Sequence, residues 1–247
     1  MSILEQAKPA VDVGLIISLV GAPGTGKTST ASTFPNPFLI RTQGEAVPRD
    51  AKYNPASIGI TDTPEKLWDQ LSALIKDDHD YKTLIIDSSS GLEGMFIQDI
   101  INKDQKAKGI QQAMGGYGAG RSAVAAQHMR VRKAAEILRT QRGMNVVFIA
   151  HADINRIDPP DTEGYNQYSL RLHKESMKYY VDDVDLVGFL KQDTMIKEED
   201  GKTNKAVTTG KIILTTYLNP AFVTKNRLGI KEDITVVHGE NPLAPYL

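Results

Sequence analysis

Residues 15–33 read LIISLVGAPGTGKTSTAST. Six apolar-rich residues without polar alternation give way to a glycine-crowded turn, and the turn to a helix-forming stretch that begins near Lys27. Within it Gly21-Ala22-Pro23-Gly24-Thr25-Gly26-Lys27-Thr28 matches G-x-x-x-x-G-K-[ST], placed between a buried strand and a helix, where the motif has its mechanism. Glycines let the backbone wrap so that successive N–H groups point inward at phosphate oxygens, and the helix N-terminus adds its positive dipole. Gly21, Ala22, Pro23, Gly24, Thr25, Gly26, Lys27, Thr28 and Ser29 are therefore the expected nucleotide site. Lys27 is to reach the β- and γ-phosphates and the Thr28 hydroxyl to ligate Mg²⁺.

Working outward, similar apolar runs recur at 37–40 (PFLI), 83–88 (TLIIDS), 145–150 (NVVFIA) and 184–190 (VDLVGFL), as in strands covered on both faces of a mostly parallel sheet. Between them 63–77 opens with Thr, Pro and Glu and spaces Leu67, Leu71, Leu74 and Ile75 along one face, predicting a surface helix. A longer helix is predicted over 123–143, closed by Gly143 with Arg139 and Arg142 in its last turn. After residue 184, two strand-like runs flank the turn-rich EEDGKTNK, predicting an antiparallel hairpin added to the sheet. Residues 153–169, with Pro159, Pro160 and Gly164, read as a long loop. The expected organisation is an α/β P-loop NTPase domain over 14–240, an N-terminal arm at 1–13 and a tail at 241–247.

A second acidic group is needed near the magnesium. Asp87 ends the strand Thr83-Leu84-Ile85-Ile86 and is followed by three serines, so Asp87 joins Thr28 as the expected metal site. The 247 residues carry 29 basic and 30 acidic side chains, a net charge of −1, which excludes a molecule-wide attraction for nucleic acid. The charge is uneven: residues 101–142 hold nine cations and two acids, residues 174–200 four cations and eight acids. With no cysteine there is no disulfide or thiolate metal site, and the early apolar run is too short to cross a membrane. A soluble protein of the cytoplasm, without membrane contact, is the expectation.

In the order of these motifs the chain resembles the RecA-like P-loop ATPases, within them the phage-encoded single-strand annealing and recombination ATPases with an AAA-type domain. The resemblance spans roughly residues 14–235. It implies a RecA-like fold, ATP and Mg²⁺ as cofactors, single-stranded DNA as ligand, a homo-oligomer with nucleotide at subunit interfaces, and a single-strand-binding protein as a further partner. It implies a host-cell cytoplasmic location. In that family a glutamate after the second strand activates water. Here the position falls on Gln43, with Glu45 two residues later, and both stay open. His151, ending Asn145–Ala150, takes the γ-phosphate sensing position. The segment after it corresponds to a DNA-lining loop, where Arg156, Tyr165, Tyr168 and Arg171 interleave cations and aromatics. Lys225 and Arg227 in Thr224-Lys225-Asn226-Arg227 match cations delivered to the neighbouring subunit's nucleotide.

Arg121, Arg130 and Lys133, beside the glycine-rich MGGYGAGR at 114–121, form a candidate DNA-backbone strip. Two competing classes are a P-loop small-molecule kinase and a nucleotide-switched DNA- or protein-binding module with little turnover. Gln43 motivates the second, because an amide can orient water but cannot take its proton.

Overall fold

Residues 14–50, 53–199 and 202–247 are described by a computed structural model. The expected arm at 1–13 and the tip of the C-terminal hairpin lie outside the described residues. In chain order the elements are β1 (Ile16–Gly21), α1 (Lys27–Ala31), β2 (Pro37–Thr42), β3 (Ile60–Thr61), α2 (Pro64–Lys76), β4 (Thr83–Asp87), α3 (Ser89–Lys103), α4 (Ala119–Arg142), β5 (Asn145–Ile157), β6 (Tyr165–Leu170), α5 (Lys174–Val181), β7 (Leu186–Glu199), β8 (Lys202–Thr215), β9 (Lys225–Asn226) and β10 (Ile234–Val236).

The main sheet has the order β10-β8-β7-β1-β5-β4-β2-β3. Strands β7, β1, β5, β4, β2 and β3 run parallel, and β8 and β10 add antiparallel. This is the mostly parallel α/β sheet with a C-terminal antiparallel hairpin that the apolar runs predict. Alternate residues of each central strand enter different cores. Ile16, Val20, Ile40, Ile86 and Phe148 pack under α2 to α5. Ile17, Leu19, Leu39, Ile85 and Ile149 pack with Ala31 of α1, Leu214, Ile230 and Leu243 on the other face. Both faces are dry, which is why the runs do not alternate. Leu243, inside the segment set apart as a tail, is fully buried there.

Local chemistry sets the helix bounds. Thr63 Oγ1 accepts from the Lys66 N–H and Pro64 takes the first helical position of α2. α4 begins at Ala119, earlier than predicted, because Gly118 in the left-handed region (φ 86°) turns the chain in, and Gly143 (φ 62°) turns it out. α5, unforeseen in the sequence, buries Tyr180 against α4 and β1: its hydroxyl pairs with His128 Nδ1 at 2.6 Å and its carbonyl accepts from Ser18 Oγ at 2.7 Å.

The expected loop at 153–169 is a hairpin. β5 runs past the sheet to Ile157 and pairs antiparallel with β6, from Ala152↔Leu170 to Ile157↔Tyr165. Pro159, Pro160 and Gly164 mark only its turn; the flanking Ile154, Ile157, Tyr165 and Tyr168 are strand formers. Phe148, fully buried edge-on to Tyr180, anchors this part of the core. Phe148→Ala is expected to lower the unfolding free energy by about 3–5 kcal/mol in urea denaturation, and Tyr117→Ala, a fully exposed position, to change it by less than about 0.5 kcal/mol.

Candidate nucleotide site

The site forms where the parallel strands end. Gly21 closes β1 and sits so tightly that a Cβ there would lie 2.5 Å from the Leu190 carbonyl oxygen. The loop then turns through Gly24 (φ 81°) and Gly26 (φ 77°), both left-handed, and delivers Lys27 at the start of α1. Lys27 is buried, and Nζ donates to the Gly21 and Ala22 carbonyls at 2.9 Å each. Burial lowers its pKa, opposed by the charges of Asp87 and Glu45.

Thr28 Oγ1 donates to Asp87 Oδ2 at 2.6 Å, joining α1 to the end of β4. Asp87 is 2% exposed, and burial pushes its carboxyl up to about 6, reinforced by the Glu45 charge and opposed by the Thr28 bond. A desolvated carboxylate beside a hydroxyl is a pair of hard oxygen donors short of positive charge. Among the described residues no group of three or more His, Cys, Asp or Glu converges on a metal site. This donor set fits Mg²⁺, which is held by one or two protein oxygens together with water and phosphate oxygens. Thr28 and Asp87 would hold it, and bound there it would offset charge on the phosphates.

A turn after β2 decides what faces this pair. The Glu45 N–H donates to the Thr42 carbonyl at 3.3 Å, and Gly44 takes φ 91°, so the chain folds back over the end of β4. Glu45 Oε1 accepts from Ser88 Oγ and from His151 Nε2, both at 2.7 Å. An ionised carboxylate can only accept, so in this contact the donor is the His151 Nε2–H. The His151 bond, then the Ser88 bond, hold the Glu45 carboxyl below the usual carboxylate range against the opposing effect of burial. Glu45 is thus an ionised acceptor in a cleft of about 660 Å³ shared with Lys27, Thr28, Asp87 and His151. Gln43 lines the same cleft but is exposed and bonds to none of these groups.

Sequence reasoning missed Ser88 and Thr42. Ser88 Oγ also accepts from the Gly91 N–H and so caps α3, while Thr42 Oγ1 accepts from the Ser88 N–H and donates to the Asp87 carbonyl. The three serines after Asp87 were the available signal, since a serine there is a natural helix cap.

The remaining candidates scatter. Arg121 turns inward to Glu93 Oε1 at 3.3 Å, and Arg130 lies over the Trp68 ring at 4.2 Å, with Lys133 along the same groove between α2 and α4. Arg156 pairs with Asp158 at 2.9 Å, Tyr165 opens β6, and Tyr168 stacks on Phe222 at 5.7 Å. Arg171 follows β6, and its N–H bonds to the carbonyl of the cleft residue His151 at 2.8 Å. Lys225 donates to the Asp182 carbonyl and Arg227 pairs with Asp185 at 3.5 Å. Both sit where β9 meets Leu186 and Val187, the end of β7 away from the phosphate loop.

Residues 14–228, from just before β1 through β9, match the AAA domain. The chain belongs to the AAA domain family. No curated protein matches it. Membership makes this an AAA-type P-loop ATPase domain, and every residue of the cleft falls inside the matched span. Among the described residues no helix is long and apolar enough to cross a membrane.

The raised Asp87 pKa has two consequences. Stability from this group is full below its ordinary 3.8 and is lost as pH rises through about 6, because the folded protein disfavours the ionised form. In Mg²⁺-free buffer Asp87→Asn should therefore raise the unfolding free energy above pH 6 by about 1–3 kcal/mol and leave it little changed near pH 4, read from thermal or urea unfolding. The same substitution should abolish Mg²⁺-dependent nucleotide binding, and in the parent protein that binding should weaken as pH falls through 6.

Proposed function

We propose that this AAA domain protein binds Mg–ATP between the subunits of a homo-oligomer, hydrolyses it, and couples hydrolysis to single-stranded DNA in phage recombination, annealing or replication. The observation that carries the reading is Glu45, an ionised carboxylate held by Ser88 and His151 in the cleft that contains the phosphate loop. Lys27 and the loop amides hold the phosphates, Thr28 and Asp87 hold the metal, and Glu45 accepts the proton of the attacking water. A carboxylate in this place favours turnover over a switch module, whose motive was an amide at Gln43.

Coupling to DNA runs through His151, which bonds to Glu45 and begins the projecting part of β5. Arg156 and Tyr165 on that hairpin, with the fully exposed Tyr117 on the glycine-rich loop, supply cations and base-stacking surface. The interfacial reading rests on Lys225 and Arg227. The β1–β7 register sets Leu190 beside Gly21 and Leu186 four residues below, roughly 13 Å away along the strand, which keeps these cations from their own subunit's phosphates and supports delivery to a neighbour's. A single-strand-binding protein is the further partner the reading includes.

ATP hydrolysis measured with and without single-stranded DNA at several salt concentrations tests the coupling: stimulation should fall with salt and vanish in Lys27→Ala. Absence of stimulation with intact ATP binding contradicts it. For the interface, a Lys225→Ala/Arg227→Ala double variant and Lys27→Ala should each be inactive alone, and mixing them should restore part of the activity. Their mixture staying inactive, or the double variant remaining active, contradicts delivery from a neighbouring subunit.

A further inference from the structure

We propose that Arg171 binds the γ-phosphate of the nucleotide in its own subunit, and so ties the β5–β6 hairpin to whether ATP or ADP is bound. The proposal rests on the reading of the cleft as an ATP site. The sequence places Arg171 among the DNA contacts, twenty residues beyond His151. The hairpin cancels that separation.

His151 stands beside Gly21 in the β1–β5 register, and the Arg171 N–H bonds to the His151 carbonyl on the side away from β1. Two strand spacings, roughly 10 Å, thus separate the Arg171 backbone from the first glycine of the phosphate loop. An extended arginine side chain covers most of that distance, and a bound phosphate covers the rest.

The electrostatics point the same way. Arg121, Arg132 and Arg156 have carboxylate partners in Glu93, Glu136 and Asp158. Arg171 is exposed and has no carboxylate within ion-pair distance among the described residues; its guanidinium makes one 3.3 Å bond to the Ala152 carbonyl. The Lys27 ammonium, in the cleft that His151 borders, is likewise bonded only to backbone carbonyls. Arg171 continues the β5–β6 register opposite His151, so its side chain leaves on the face where His151 meets Glu45, and a polyanion in the cleft attracts both cations. Lys27 approaches from the phosphate loop and Arg171 from the hairpin, so the third phosphate is the group that can engage both.

The hairpin then has both of its roots beside the cleft. His151, on the outgoing strand, holds Glu45, and Arg171, after the returning strand, holds the γ-phosphate. Loss of that phosphate frees one root and leaves the other in place. A ligand that binds only one state of an element can shift it only by its differential affinity, and the γ-phosphate–Arg171 contact supplies that difference.

The test is the affinity of the full chain for a non-hydrolysable ATP analogue and for ADP, both with Mg²⁺, in the parent protein, Arg171→Ala and Arg171→Lys. Because the side chain is exposed, the variants should keep the parent's unfolding midpoint, which serves as the control for folding. Arg171→Ala should weaken the ATP analogue at least about tenfold and ADP less than about twofold, with Arg171→Lys between. In hydrogen exchange the analogue, but not ADP, should protect amides 152–170 in the parent protein, and this difference should disappear in Arg171→Ala. Equal loss for both nucleotides, or no loss, overturns the proposal. Loss of nucleotide-free affinity for single-stranded oligonucleotide with ATP-analogue affinity intact also overturns it, and returns Arg171 to the DNA surface. A parent protein that binds neither nucleotide overturns the ATP reading itself, a result distinct from any of these.

Discussion

Strand β1 is hydrogen-bonded on both sides, to β5 through Ile16–Gly21 and to β7 through Ile17–Gly21, and is buried on both faces. It therefore has no freedom to slip or tilt: a one-residue shift would exchange the residues of its two cores. Parallel pairing brings the carboxyl ends of β1, β4 and β5 to one edge, so Gly21, Asp87 and His151 come into proximity without being near in sequence. Ligands in open α/β sheets bind at such an edge, outside the carboxyl ends of the strands. The phosphate loop needs this rigid support, because its amides can converge on an anion only if the strand before it and the helix after it are fixed.

The charges gathered at that edge are held at a cost to the fold. Asp87 is buried with its ionisation disfavoured, Lys27 is buried opposite it, and Glu45 adds a second carboxylate nearby. Each carboxylate has a different environment. Asp87 is desolvated and bonded by a single hydroxyl, so it gains most from a cation. Glu45 receives two hydrogen bonds on one oxygen and stays ionised, so it is suited to accept a proton. The separation of roles follows from burial and bonding, since the two side chains carry the same functional group.

The sequence made the frame legible where one physical rule governs several residues. Unbroken apolar runs mark strands with two dry faces, and the glycine-lysine-threonine spacing marks a loop that has no cheaper use. It was less informative where a backbone turn decides the outcome. Whether Gln43 or Glu45 faces the site depends on Gly44 in the left-handed region and on the bond from the Glu45 N–H to Thr42, neither of which has a pattern in the side chains. The hairpin at 152–170 was hidden for a related reason. Its prolines and glycine dominate the local composition, while the pairing that organises it is between residues up to eighteen apart. Arg171 was consequently read with its sequence neighbours Tyr165 and Tyr168 instead of with His151. Arg121 shows the converse, a cation on a basic stretch that turns inward to the buried Glu93 of α3, which His128 also meets at 3.0 Å.

The claim on which the account turns is that Glu45, oriented by Ser88 and His151, is the group that takes the proton from water. Single-turnover cleavage of pre-bound ATP in Glu45→Gln and Gln43→Ala measures that directly, free of effects on binding or product release. The account predicts that Glu45→Gln binds Mg–ATP as the parent does and cleaves it about 10²–10⁴ times more slowly, while Gln43→Ala stays within a few-fold. Cleavage that survives in Glu45→Gln and collapses in Gln43→Ala would contradict it.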